Sequence, residues 1–263
     1  MKTKNHTILS LIPVACLALS SGFLSAAVMY HDLGATTGSE STGNITTHQS
    51  GASTVFDGAV DTSTKSLINY SDGTATGVSF SISSIGGTAT FDSRNDDQYA
   101  PPTAGTPAGN LFLVAGLNLN NGSINMQNGT MTLTFSGLDI NTLYDLALFG
   151  NRVVTGDGTE RFTLGGADAA TNLTSTATNS FNDSTFVSRM ETRPNDDDVV
   201  RWSNINPGAD GTFTVTVDPT VTDGTSSTNI SYLSAFRLEA IPEPSTALLG
   251  VLGMLALLLR RCR

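Results

Sequence analysis

Between Val28 and Ala240 the chain has no cysteine; its two, Cys16 and Cys262, lie in the terminal segments. That excludes a disulfide, a thiol nucleophile and a thiolate metal site from the central region. Histidine is nearly as scarce. His6, His31 and His48 all fall near the N-terminus, in sequence that predicts little regular structure, so zinc would depend on His31, His48 and carboxylates. Neither a Gly-x-Ser-x-Gly elbow nor a phosphate-binding glycine loop occurs. Positive charge is thin as well. Lys65 and seven arginines stand against 22 acidic side chains between Val28 and Ala240, a net charge of −14. Such a surface repels phosphate backbones and excludes nucleic acid as a partner. It leaves calcium, uncharged glycans or simple solubility. A fixed-period repeat is missing too, which excludes a solenoid.

What is present is apolar alternation. At 263 residues and 39% hydrophobic content the chain is long enough for one sizeable core, and at 14% charged it lacks the charge density of a disordered chain. Val78, Phe80 and Ile82 alternate with Ser79, Ser81 and Ser83; Met131, Leu133 and Phe135 with Thr132 and Thr134. Tyr144, Leu146 and Leu148 repeat the pattern, as do Phe213, Val215 and Val217, and Tyr232, Phe236 and Leu238 share one face of a final strand. Period two means one face buried and one in water. With no amphipathic helix of about ten residues or more, the pattern predicts an all-β domain over residues 28–240, a two-sheet antiparallel sandwich. Tyr99 to Asn110, with three prolines, reads as a long loop. Gly34 to Gly58 reads as either an ordered edge or a mobile arm.

The two ends read as addresses. Lys2 and Lys4, an apolar stretch from Ile8 to Leu24 and the small residues Ser25-Ala26-Ala27 form a secretory signal peptide over residues 1–27, with cleavage after Ala27. The implied partners are the Sec translocon and signal peptidase. At the other end, residues 241–263, Pro242-Glu243-Pro244 precedes an uncharged run from Ala247 to Leu259, and Arg260, Arg261 and Arg263 follow. A helix of that run is about 20 Å long, short of a bilayer core of about 30 Å unless flanking residues extend it. The arginines act as a basic stop that stays cytoplasmic. A signal helix and a short transmembrane helix are thus expected to flank the sandwich.

Motif, apolar helix and basic end, in that order, resemble the PEP-CTERM sorting signal. The resemblance implies a Gram-negative-type bacterium and an exosortase, an integral membrane enzyme that recognises the tail and removes it. It implies a transient inner-membrane anchor, then release to the cell surface or extracellular matrix, in a setting of exopolysaccharide production. A second, looser resemblance covers about half of the domain. Phe135-Ser-Gly-Leu138 followed by Tyr144 to Gly150 resembles the central hairpin of galactose-binding-like jelly rolls, and Tyr232 to Glu239 resembles their last strand. That similarity implies a jelly-roll-like sandwich.

Candidate chemistry is sparse. Asp-Gly recurs at Asp57, Asp72, Asp157, Asp210 and Asp223, where calcium loops compete with plain turn chemistry. Two acidic clusters, Asp196-Asp197-Asp198 and Asp96-Asp97, are the better calcium candidates, because adjacent like charges call for a cation or water. Trp202, the only tryptophan, stands beside Arg201 and offers a glycan-stacking platform or a core side chain; Tyr70 and Tyr99 are further glycan candidates. Glu160, Glu191 and Asp145 would serve a glycosidase, which needs only two carboxylates. Thr-x-Thr at Thr132 to Thr134 lacks the regular repeats that would build a flat array of the ice-binding kind. The first expectation is a non-enzymatic matrix protein associated with extracellular polysaccharide. The alternatives are a carbohydrate-binding module with a defined ligand, and a polysaccharide hydrolase.

Overall fold

The computed structural model describes residues 26–36, 41–50, 58–59, 62–85, 88–92, 100–120, 122–150, 152, 158–174, 184–193, 197–219 and 230–241. The signal segment before Ala26, the sorting motif Pro242-Glu243-Pro244, the basic stop Arg260, Arg261 and Arg263, and Asp96, Asp97, Tyr99 and Asp196 lie outside them. So do both expected terminal helices. Among the described residues no helix is long and apolar enough to cross a membrane.

The described strands form three sheets. Sheet 1 has the order β11 (Ala169–Asn172), β13 (Val200–Asn206), β9 (Leu143–Phe149), β16 (Ala235–Ile241), β1 (Val28–Thr36), β2 (Thr46–Ser50). Sheet 2 runs β12 (Val187–Arg193), β10 (Gly158–Gly165), β14 (Phe213–Asp218), β8 (Thr130–Ser136), β5 (Ala75–Ile85), β4 (Lys65–Ile68). A smaller sheet 3 runs β15 (Ile230–Leu233), β7 (Ser123–Gln127), β6 (Thr88–Asp92), β3 (Gly58–Ala59). Sheets 1 and 2 make the sandwich.

The alternating sequence explains the packing. Strands β8 and β14 bury every second residue. Phe135 lies opposite Phe80 on one neighbour and Phe213 on the other, while Leu133 faces Ile82 and Val215. Phe236 of sheet 1 reaches across to Phe80 and Phe135, with ring centroids 4.6 and 5.0 Å apart. These rings bind the two sheets, because aromatic pairs add about 0.5–1.5 kcal/mol beyond their area burial. Ile124, Met126 and Leu233 bring sheet 3 into the same core.

Four features differ from the sequence reading. First, β1 and β2 pair in parallel, whereas the other pairings are antiparallel. The Gly34 to Gly58 region therefore supplies an edge strand. Second, the two segments read as a central hairpin sit in different sheets. Gly137, at φ +72°, and the Asp139 side chain, which accepts from Asn141 N–H, turn the chain from β8 in sheet 2 to β9 in sheet 1. Third, Tyr232 to Glu239 is two strands. Ser234 breaks the run by donating its N–H to Phe149 O, which places Tyr232 in sheet 3 and Phe236 in sheet 1.

Fourth, the proline-rich loop ends in a helix, α1 (Pro107–Phe112). Thr106 caps it by accepting from Gly109 N–H at 3.1 Å, and Pro107 at the first position has the fixed φ that a helix start needs. Ala108 and Phe112 then cover Ala147, Phe149, Val199 and Ala235 on the outer face of sheet 1. Thr106→Ala should cost about 1 kcal/mol in urea denaturation, the usual value of a cap; a loss near zero would mean that the Phe112 contact alone holds α1.

Candidate functional site

Burying Phe80, Ile82, Leu133, Phe135, Val215 and Val217 sends their neighbours to the opposite face of sheet 2. Those neighbours are hydroxyls. Register aligns them in cross-strand rows: Ser66, Ser79 and Ser136; then Ser81, Thr134 and Thr214; then Ser83, Thr132, Thr216 and Thr163. Strand geometry sets about 4.8 Å between neighbouring strands and about 6.7 Å between rows. None of these residues is buried. Thr214 Oγ1 donates to Gly165 O, whereas Ser81, Ser83, Thr132, Thr134, Thr163 and Thr216 keep their hydroxyls for solvent or a ligand among the described residues. Among the described residues of these rows charge enters at one border, where Arg161 pairs with Asp218 at 2.9 Å and Arg189 lies next in register.

The hydroxyl rows are thus built across strands rather than along one. Residues from 66 to 216 contribute, so no local repeat announces it. β-Branched threonine suits this use, because its stiff χ1 holds the hydroxyl in place.

Trp202 is not a platform. Its ring is 0% exposed inside the sandwich and Nε1 donates to Thr185 O at 3.1 Å. Successive strand residues point to opposite faces, so Arg201 lies on the outer face of sheet 1, away from the tryptophan. There it pairs with Asp145 at 2.9 Å, and Asp145 also accepts from Asn204 N–H. The expected Trp202–Arg201 glycan platform is corrected on both counts.

The carboxylates considered for calcium or hydrolysis divide similarly. Asp197, at φ +67°, accepts from Thr103 N–H at 2.6 Å and anchors the loop before α1. Asp198 is buried beside it in sequence. Among the described residues no group of three or more His, Cys, Asp or Glu side chains is placed to hold a metal. Glu160 is fully buried and Glu191 lies on β12. Asp72 and Asp210 accept from Thr74 N–H and Thr212 N–H, with Gly73 and Gly211 at positive φ, which is turn chemistry. The bonds from Thr74, backbone first, hold the exposed Asp72 carboxyl below its ordinary value. Tyr70 packs edge-on against Tyr30 and donates its hydroxyl to Ala115 O.

No protein-family model and no curated protein matches this chain. Function must be read from its own chemistry.

Two more places stand out. An open cleft of about 460 Å³ on edge strand β11 is lined by Ala170, Thr171, Asn172, Ser184 and Thr185. Asn172 is fully committed there, its amide donating to Ser184 O and Val187 O while its oxygen accepts from Thr174 N–H and Ser188 Oγ. The second is a buried histidine pair. His31 and His48, expected in poorly structured sequence, lie on β1 and β2 and are both fully buried. Only the strand pairing brings them together, and no local signal in the sequence marks it.

Proposed function

We propose that this chain is an exported, exosortase-processed protein of the cell surface or extracellular matrix. It has no catalytic role and adheres to neutral exopolysaccharide through the hydroxyl face of sheet 2. Export rests on Lys2 and Lys4, the apolar stretch from Ile8 to Leu24 and the small residues Ser25-Ala26-Ala27. Sorting rests on Pro242-Glu243-Pro244 and the arginines after it. A galactose-binding-like jelly roll is the finer fold assignment, supported by the Tyr144 to Gly150 and Phe236 to Glu239 segments, which pair as β9 and β16.

The observation that carries the adhesive role is an uncharged grid of serines and threonines on a domain of net charge −14. One neutral hydrogen bond nets only about 0.5–1.5 kcal/mol, so a hydroxyl surface holds a partner through many bonds at once. A flat neutral polyol offers donors and acceptors in such numbers. The cleft on β11 favours a second reading, a binding module with a defined glycan seated among Thr171, Ser184 and Thr185.

Fractionation of the extracellular matrix tests the role. The wild-type protein should sediment with exopolysaccharide and release no reducing ends from it. The double variant Thr134→Glu/Thr216→Glu, which places two charges in the middle rows, should move at least tenfold toward the soluble fraction. Arg201→Ala on the opposite sheet should leave the distribution unchanged. Release of reducing ends would overturn the non-enzymatic reading, and an unmoved double variant would shift attention to the β11 cleft.

A further inference from the structure

His31 Nε2 lies 2.5 Å from His48 Nδ1 in the interior between β1 and β2. The His31 ring stacks on Phe236 at 5.0 Å and tilts against Phe80 at 4.9 Å; His48 meets Phe80 edge-on at 5.3 Å. The hydrogen bonds set the tautomers. Thr46 Oγ1 donates to Tyr30 O, so toward His31 Nδ1, 2.7 Å away, it accepts. A neutral His31 then has only an acceptor at Nε2, and His48 Nδ1–H supplies the proton between the rings. The relay runs from β2 to β1, back to Thr46 on β2, and ends on the Tyr30 carbonyl. It fastens an edge strand that has a sheet neighbour on one side only.

A positive charge fits this place poorly. Burial holds the His31 imidazole well below the usual histidine range, and His48 and Lys65 push the same way. These two are the ionisable groups that face it, from β2 and β4. Strands β5 and β16 present Phe80 and Phe236, and β7 carries no ionisable residue. On the other face of β1, Asp32 accepts from Ser41 Oγ and Gly34 N–H. Burial raises its carboxyl to about 6.

We propose that the His31–His48 pair is an acid-operated latch, which pins β2 to the sandwich when neutral and releases it when protonated. The sign follows from linkage. A base whose folded pKa lies below its free value of about 6.5 stabilises the closed strand fully above that pH. The contribution fades as pH falls, because the open form takes up the proton. Asp32 opposes this below about 6, since its raised carboxyl gains a proton in the closed form. The free imidazole value of about 6.5 lies above the Asp32 value of about 6, so His31 still tips the balance toward release as pH falls.

Hydrogen exchange on the intact chain between pH 7 and 5.5, corrected for intrinsic rates, tests the latch. Protection of the β2 amides should fall by about twofold or more over that range, while β8 and β14 amides stay protected. His31→Gln offers Thr46 and His48 an amide donor and acceptor but cannot titrate, so its β2 protection should not fall between pH 7 and 5.5. Wild-type β2 protection that does not change, or an equally steep fall in His31→Gln, would overturn the proposal. Should that variant fail to fold, NMR titration of the wild-type imidazoles decides: His31 titrating at the ordinary value in the folded protein overturns the latch.

Discussion

Replacing Trp202 by alanine should destabilise the domain by about 3–5 kcal/mol in urea denaturation and leave polysaccharide binding by the folded fraction unchanged. The ring is fully buried, opposite Leu146 on β9 and Asn172 on β11, so its removal opens a cavity that the flanking strands cannot close without shifting. The Nε1 bond to Thr185 O is lost as well. Against a total stability of about 5–15 kcal/mol for a typical domain, this one change takes away a large fraction. A solvent-facing sugar platform would give the reverse: little change in stability and lost binding.

Gly150→Ala should be comparably damaging for the opposite reason, too much volume. A methyl group there would overlap the Tyr232 carbonyl oxygen and stand 2.8 Å from its carbon and 3.2 Å from Leu233 Cα. All three are backbone atoms of β15, so no side-chain rotation relieves the clash. Sheet 3 would have to move away from the end of β9, at a cost at or above the upper end of the usual 1–3 kcal/mol for overpacking, an order-of-magnitude figure of about 3 kcal/mol. Gly43→Ala is the control. Gly43 sits at φ +75° with nothing within 4 Å of its added Cβ, so it should lose only the backbone term of about 1 kcal/mol. Thermal or urea unfolding of the two variants separates close approach from conformational strain.

These contrasts mark what was legible in the sequence. Alternation at Met131 to Ser136 and Phe213 to Asp218 announced strands with one buried face, and those strands form the middle of sheet 2. The same alternation carried the site, since every buried Leu133 or Val215 turns the threonine beside it to the opposite face, where it is half-buried. Its partners were not legible. Thr134 faces Ser81 and Thr214 only after β5, β8 and β14 pair across long separations, and no local pattern states that order. His31 and His48 were hidden by the same cause. Their neighbours read as a Gly, Ser and Thr-rich segment, either an ordered edge or a mobile arm, and tertiary contact decides for the edge. Trp202 and Arg201 differ: period two already placed adjacent residues on opposite faces, so a shared platform contradicted the strand they sit on. Thr106-Pro107 was likewise a readable helix start inside what looked like a loop.

Affinity electrophoresis of residues 28–241 through gels containing a neutral polysaccharide of the host, beside the Thr134→Glu/Thr216→Glu variant, tests the adhesive face most directly. The expected result is retardation of the wild type, unchanged by a calcium chelator and reduced at least tenfold in apparent affinity by the double variant. Equal mobility of the two proteins, with the variant folded by circular dichroism, would contradict a binding face on sheet 2.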